Sequence, residues 1–281
     1  MKLGNKIEDR FVAFVDILGF KNILARVEEN FDSEEFKRLE SVLNFMNEET
    51  HDPNYSADLP VYEKSECGEF LIEKELGDPR LTYISDCIII SAEPTLDGFK
   101  GLSRKIHKIT ADLAYDGIFC RGAISKGKMY HQQRVLFGSA YLRAYYLEEN
   151  EARFPRVIID PNILEFFDLS DGKMPLAPIF YGKDRDDYYY LRYWTWYLFP
   201  PYAISWEAYL LHVRQKILAC LSEHADTPPV LKKYEWLSKE FNELIDFWFT
   251  PFDVNVDTKP FKIEKVEQGC ARNSRGCASS V

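Results

Sequence analysis

Hydrophobic and polar residues follow two patterns along this chain, one typical of buried strands and one typical of amphipathic helices. Residues 10–15 are almost entirely apolar and predict a buried strand that ends at Asp16. After Gly19, apolar residues recur every three or four positions, which predicts a helix that begins at Phe20. Ser33, followed by two glutamates, predicts the start of a second helix that continues to about residue 46.

A polar stretch with several prolines and glycines, residues 47–79, predicts an insertion with one short strand at about 70–76. The apolar run that follows, residues 81–91, has strong β character on both sides of Ser85 and Asp86. This pattern predicts either one long strand or two strands joined by a tight turn at that pair.

The next segment predicts a long helix, two strands, a further helix, a short strand and a short helix. These elements are expected at about 99–113, 118–125, 129–137, 139–150, 156–160 and from 161 onward. Gly117 is expected to end the long helix, and Gly127 is expected to separate the two strands. Residues 1–165 thus predict a catalytic α+β domain with helices over one face of a mixed sheet.

The remainder of the chain predicts an extension, residues 166–268, that packs on this domain. It contains an edge strand at 188–194 and two amphipathic helices at about 205–222 and 229–249. Residues 269–281 are polar and predict a disordered tail.

Composition narrows the possible functions. A net charge of −10 argues against a protein that binds nucleic-acid backbones, because such proteins need basic surfaces. The six cysteines form no C-x-x-C pair, which argues against a zinc site and a disulfide framework and favours a reducing compartment. Without an apolar run of membrane-spanning length or a signal-peptide pattern, the sequence predicts a cytoplasmic protein with no membrane partner.

Two aspartates lie in unusual surroundings. Asp16 ends one apolar strand, and Asp86 interrupts another. Buried carboxylates are costly unless they are paired, hydrogen-bonded or bound to a metal, and carboxylates on neighbouring strands suit Mg²⁺ or Mn²⁺. Leu18-Gly19-Phe20 opens a helix whose backbone N–H groups would suit a phosphate. The alternative interpretation is a helix-capping Asp16 and a turn at Asp86.

Four motifs resemble the class III nucleotidyl cyclases, in the order in which that family carries them. They are "FVDILGF" (14–20), "YISDCIII" (83–90), "RGAISKG" (121–127) and "GSAYLRAYYL" (138–147). The resemblance covers about residues 10–160 and implies a ferredoxin-like βααββαβ fold. It also implies that Asp16 and Asp86 bind two divalent cations, Mn²⁺ or Mg²⁺.

The departures from the family pattern concern the residues that read a purine base. The base-reading lysine is replaced by Thr82, and the aspartate that assists it is replaced by Val135. The asparagine and arginine of the last helix are replaced by Leu142 and Tyr146. This combination resembles the pyrimidine cyclases of bacterial Pycsar antiphage systems, which make cyclic UMP or cyclic CMP.

The resemblance implies roles for further residues. Ile17 would offer its backbone carbonyl to a metal, and Leu18, Gly19 and Phe20 would offer backbone N–H groups to the triphosphate. Arg80, Thr82 and Tyr83 lie on the base-reading strand. Arg143 shares a helical stripe with Tyr146 and is a candidate for the cation that the transition state requires, or else a surface arginine.

The resemblance also implies a head-to-tail homodimer with composite sites and a separate effector that responds to the cyclic nucleotide. UTP is the favoured substrate and CTP the alternative. A catalytically inactive nucleotide-binding module and a purine nucleotide cyclase remain rival hypotheses. A diguanylate cyclase is disfavoured because no G-G-[DE]-E-F motif is present.

Overall fold

The computed structural model describes residues 7–30, 32–33, 36–37, 40, 60–64, 70–75, 77–132, 135–166, 180–194, 205–249 and 258–264. The expected tail at 269–281 and most of the helix expected after Ser33 lie outside these residues. At the start of that helix, the Phe36 N–H donates to Ser33 Oγ at 3.1 Å, the contact expected of a helix N-cap.

Ten strands and six helices follow one another along the described ranges. The strands are β1 (Glu8–Ile17), β2 (Pro60–Lys64), β3 (Phe70–Glu75), β4 (Arg80–Ile84), β5 (Cys87–Ala92), β6 (Cys120–Gln132), β7 (Val135–Phe137), β8 (Val157–Ile159), β9 (Tyr181–Lys183) and β10 (Tyr189–Leu191). The helices are α1 (Phe20–Glu29), α2 (Leu96–Tyr115), α3 (Ser139–Asn150), α4 (Pro161–Phe166), α5 (Trp206–Glu223) and α6 (Pro228–Phe249). The predicted α+β class is confirmed.

Eight of the strands form one mixed sheet. Its order is β4-β5-β1-β6-β8-β10-β9, and β7 pairs with β6 outside this path. The β6–β8 pair is parallel, whereas β1 is antiparallel to both of its neighbours. The connections from β1 to β4 and from β5 to β6 each skip one strand, which is the split βαβ arrangement. The strands β2 and β3 form a separate hairpin inside the predicted insertion.

Two strand predictions are wrong because pairing partners outweigh local signals. Gly127 does not separate two strands: it pairs with Arg10 inside the continuous β6, and β1 supplies partners for ten successive residues of that strand. The predicted edge strand is also interior, since β10 lies between β8 and β9.

The two faces of β1 pack against different helices. Odd-numbered residues of the range 11–17 belong to the main core, which α2, α5 and α6 cover. Val12 and Phe14 face α3 on the opposite side, where Ala140 and Ala144 allow the helix to approach closely. The expectation of helices on one face is therefore wrong. A central strand that is apolar on both faces needs cover on both.

The C-terminal segment shares the main core with the first 165 residues. Tyr209 and Val213 of α5 and Leu237 and Phe241 of α6 are completely buried in it. Both predicted helices are confirmed, and Ser205 caps α5 by accepting the Ala208 N–H at 3.2 Å. This packing fixes α6 relative to the sheet.

Candidate metal centre

The end of β1 and the tip of the β4–β5 hairpin meet at Asp16 and Asp86. The hairpin alternative for residues 81–91 is confirmed, with Ser85 and Asp86 in the turn. Ser85 has φ +57°, a left-handed conformation that glycine adopts more easily. The Ile17 N–H donates to the Asp86 carbonyl at 2.9 Å, which ties the tip of the hairpin to the end of β1.

Cys87 completes a group of three side chains that could hold a metal ion. It is the direct cross-strand partner of Asp16. One ligating atom each of Asp16, Asp86 and Cys87 lies within 4.8 Å of the others, and all three residues are half-buried. The pKa of the Cys87 thiol is raised to about 12 by burial and by Asp86. The carboxylates are thus the better donors, and they fit a hard divalent cation.

The electrostatics of Asp16 also fit a cation. Burial raises its pKa from 3.8 to about 7, and the charges of Glu148 and Asp86 add to this effect. Arg121 and Lys233 oppose it. A bound divalent cation would offset the repulsion between these carboxylates and favour the ionised form of Asp16.

Arg121 and Glu148 form a second layer beside the carboxylates. Arg121 lies opposite Asp16 in the β1–β6 register. Its Nε donates to Glu148 at 2.6 Å, and the same carboxylate accepts from Nη2 at 2.5 Å. The side chain of Glu148 is only 5% exposed. This ion pair holds the guanidinium over the end of β1.

The turn after β1 carries the backbone N–H groups that the sequence motif assigns to a phosphate. Gly19 has φ +74° and begins α1 without a side-chain cap. Among the residues that the structure describes, the N–H groups of Gly19 and Phe20 have no hydrogen-bond partner. The Leu18 N–H, by contrast, donates to the Phe119 carbonyl at 2.9 Å. This contact corrects the expectation that Leu18 offers its N–H to a phosphate.

The Ile17 side chain is 2% exposed, and its backbone lies at the last pair of the β1–β6 ladder, opposite Cys120. Its N–H is occupied by Asp86. A role for its carbonyl as a metal ligand stays a prediction.

Two of the three expected base-reading residues are engaged by other residues of the chain. Thr82 Oγ1 lies 2.7 Å from His131 Nε2, and Thr82 is 7% exposed. Arg80 donates to the His131 carbonyl at 2.7 Å and to Asp78 at 2.6 Å. These contacts give Thr82 and Arg80 a structural role within the chain.

Tyr83 is the third member of that set, and its phenol interacts electrostatically with Asp86 and Cys87. It is half-buried and packs against the main core. Burial and the neighbouring Asp86 raise the pKa of its phenol to about 12. The hydroxyl therefore stays protonated near neutral pH and can donate a hydrogen bond.

Arg143 is not brought to the metal centre in the single chain. Its guanidinium binds Asp160, with Nε at 2.8 Å and Nη2 at 3.3 Å from the carboxylate oxygens. Asp160 is buried, whereas the Arg143 side chain is 42% exposed. The same guanidinium lies 5.8 Å from the centre of the Tyr146 ring.

Sequence reasoning missed Cys87, Glu148 and Lys233 as members of the site. Cys87 had a usable signal, because a hairpin at Asp86 places the next residue opposite the end of β1. Glu148 had a weaker one, as the residue that follows the last family motif. Lys233 had none, since it is separated from Asp16 by more than 200 residues.

Comparison of the chain with known protein families finds no matching family model, and no curated protein matches it. Every helix in the described ranges is too short or too polar to cross a membrane.

Proposed function

We propose that the protein is a metal-dependent nucleotide cyclase of the class III type. It would convert UTP, or CTP, into the 3′,5′-cyclic nucleotide and diphosphate. The observation that carries the proposal is the convergence of Asp16 and Asp86 at the end of β1. The helix start that directly follows carries the backbone N–H groups of Gly19 and Phe20, which have no hydrogen-bond partner in the part of the chain that the structure describes. Together these groups suit a metal-bound polyphosphate.

In the proposed reaction, the 3′-hydroxyl oxygen forms a bond to the α-phosphorus. The bond from this phosphorus to the oxygen bridging to the β-phosphate breaks, diphosphate leaves, and the hydroxyl proton passes to solvent. Two divalent cations, Mn²⁺ or Mg²⁺ held by Asp16 and Asp86, would activate the hydroxyl and neutralise phosphate charge. The N–H groups of Gly19 and Phe20 orient the phosphates, so that the protein contributes mainly through positioning.

A pyrimidine is favoured by the state of the base-reading strand. Thr82 replaces the lysine of purine cyclases, and its hydroxyl is already engaged by His131. Tyr83 is left as the polar side chain of that strand beside Asp86, and its phenol is a hydrogen-bond donor for a base edge.

We also propose a cytoplasmic homodimer with composite sites. The positions of the family aspartate, asparagine and arginine are solvent-exposed in the single chain: Val135 is 56%, Leu142 64% and Tyr146 51% exposed. Large apolar side chains at these positions suit burial against a second subunit. The cyclic product would serve as a second messenger that activates a separate effector in antiviral defence.

The experiment that tests this proposal is product identification. The purified protein is incubated separately with UTP, CTP, ATP and GTP in the presence of Mn²⁺, and the products are identified by mass. We expect cyclic UMP or cyclic CMP, with loss of product in Asp16→Asn and Asp86→Asn. Asp226→Asn, which changes an exposed carboxylate elsewhere, is the matched control. A cyclic purine nucleotide as the main product would refute the pyrimidine assignment.

A catalytically inactive nucleotide-binding module is the second candidate. The pairing of Arg143 with Asp160 favours it, because the site then lacks the cation expected from α3. Metal-dependent nucleotide binding without conversion of any of the four triphosphates would support this candidate.

A further inference from the structure

The first half of α6 packs beside the end of β1. The Tyr234 ring lies edge-on to Phe119, with 6.0 Å between ring centroids. The carbonyl of Phe119 accepts the N–H of Leu18, two residues after Asp16. On the opposite side of α6, the Trp236 indole N–H donates to the Asp184 carboxylate at 2.7 Å. These contacts hold the backbone of α6 beside the end of β1, where Asp16 lies.

Lys233 is the cationic residue that this packing presents to the metal centre. It is half-buried, and its ammonium interacts electrostatically with Asp16, Glu148 and Arg121. Among the residues that the structure describes, no carboxylate lies within 4 Å of the Lys233 ammonium. Arg121 differs, because its guanidinium is bonded to Glu148. Within the described ranges, Lys233 therefore differs from Arg121 in having no ion-pair partner.

The charges of the site explain why such a lysine is useful. Counted by formal charge, the carboxylates of Asp16, Asp86 and Glu148 exceed the cations Arg121 and Lys233 by one negative charge. Two divalent cations would turn this balance into three positive charges, which complements a triphosphate. A lysine ammonium is a compact charge on a flexible chain, which suits the oxygens of a phosphate rather than a planar partner.

We propose that Lys233 binds the triphosphate of the substrate beside Asp16 and Asp86. The inference rests on the proposed function for the identity of the polyphosphate. It gives the C-terminal extension a direct role: α6 supplies from within the same chain a cation that α3 does not provide. The competing role is that of a structural counter-ion, in which Lys233 only neutralises Asp16 and Glu148.

Calorimetric titration with inorganic tripolyphosphate tests the inference without requiring turnover. The full-length protein is saturated with Mn²⁺ before each titration. We expect Lys233→Gln to weaken tripolyphosphate binding about tenfold or more, since a charge-assisted contact is lost. Lys233→Arg keeps the charge and is expected to stay within about threefold of the wild type. Lys232→Gln removes the same charge from the exposed neighbouring position and is the matched control.

The competing role predicts a different pattern. If Lys233 were only a counter-ion, Lys233→Gln would tighten the binding of Mn²⁺ itself and leave tripolyphosphate binding unchanged, which would overturn the inference. Failure of the wild type to bind tripolyphosphate would overturn it as well. Weakened binding in Lys233→Gln combined with no conversion of any nucleotide would support this phosphate site while refuting the cyclase. Thermal unfolding of each variant confirms that the fold is intact.

Discussion

The Asp16 carboxylate is expected to destabilise the metal-free protein, and Asp16→Asn is expected to remove this effect. The pKa of Asp16 is raised from 3.8 to about 7, first by burial and then by the charges of Glu148 and Asp86. Between about pH 4 and about pH 7 the native state therefore holds a proton that the unfolded chain has released. The free energy of unfolding falls as the pH rises through this interval.

The size of the effect follows from the shift in pKa. One pKa unit corresponds to about 1.4 kcal/mol in the free energy of unfolding. The full shift would therefore correspond to about 4 kcal/mol if the site excluded solvent completely. Asp16 is only half-buried, and solvent screens its repulsion from the neighbouring carboxylates. We therefore expect a difference of about 1–2 kcal/mol between wild type and Asp16→Asn.

Urea unfolding in EDTA at about pH 5 and about pH 8 measures this difference. The wild type should lose about 1 kcal/mol relative to Asp16→Asn on going to the higher pH, because part of the full effect is already lost below about pH 5. Added Mn²⁺ at the higher pH should stabilise the wild type and not the variant, because the native metal site needs this carboxylate. Asp226→Asn, the exposed control, should follow the wild type. An identical pH dependence in wild type and Asp16→Asn would refute the reasoning.

Three further substitutions test the fold around the site, each by urea unfolding. Arg143→Ala leaves the buried Asp160 without its guanidinium and should cost about 1–3 kcal/mol; no loss of stability would mean that this ion pair contributes nothing. Gly138→Ala should cost about 1–3 kcal/mol, because a Cβ there would lie 2.2 Å from the Lys128 carbonyl oxygen; a neutral result would show that α3 can shift away from β6. Arg156→Ala removes a fully buried guanidinium that pairs with two aspartates, and it should lower the free energy of unfolding by about 3–5 kcal/mol. A loss below about 1 kcal/mol would show that these ion pairs do not stabilise the fold.

The sequence predicts the parts of the fold that depend on local patterns. The apolar run before Asp16 and the stripe after Gly19 correspond to β1 and α1, because strand and helix periodicities are encoded over a few residues. The two-strand alternative for residues 81–91 is also local, since it depends on a turn at Ser85 and Asp86. What the pattern alone left open was whether this turn or a continuous strand would form.

The failures share a cause, which is that the decisive partner is distant in sequence. Gly127 signals a break, yet β1 pairs across it and keeps β6 continuous. Helix α3 covers the second face of the sheet because Ala140 and Ala144 pack against it. The amphipathic pattern of α3 itself is weak and does not predict this position. Lys233 interacts electrostatically with Asp16 because α6 packs beside the end of β1, where Tyr234 contacts Phe119. No local sequence pattern predicts contacts between residues that are so far apart in the chain.

The most direct test of the central claim is anomalous diffraction from crystals grown with Mn²⁺ and UTP. The account predicts a manganese peak coordinated by carboxylate oxygens of both Asp16 and Asp86, with the triphosphate beside the N–H groups of Gly19 and Phe20. Crystals of Asp86→Asn should lack that peak under the same conditions. A wild-type peak at a different place, or UTP bound away from both aspartates, would contradict the account.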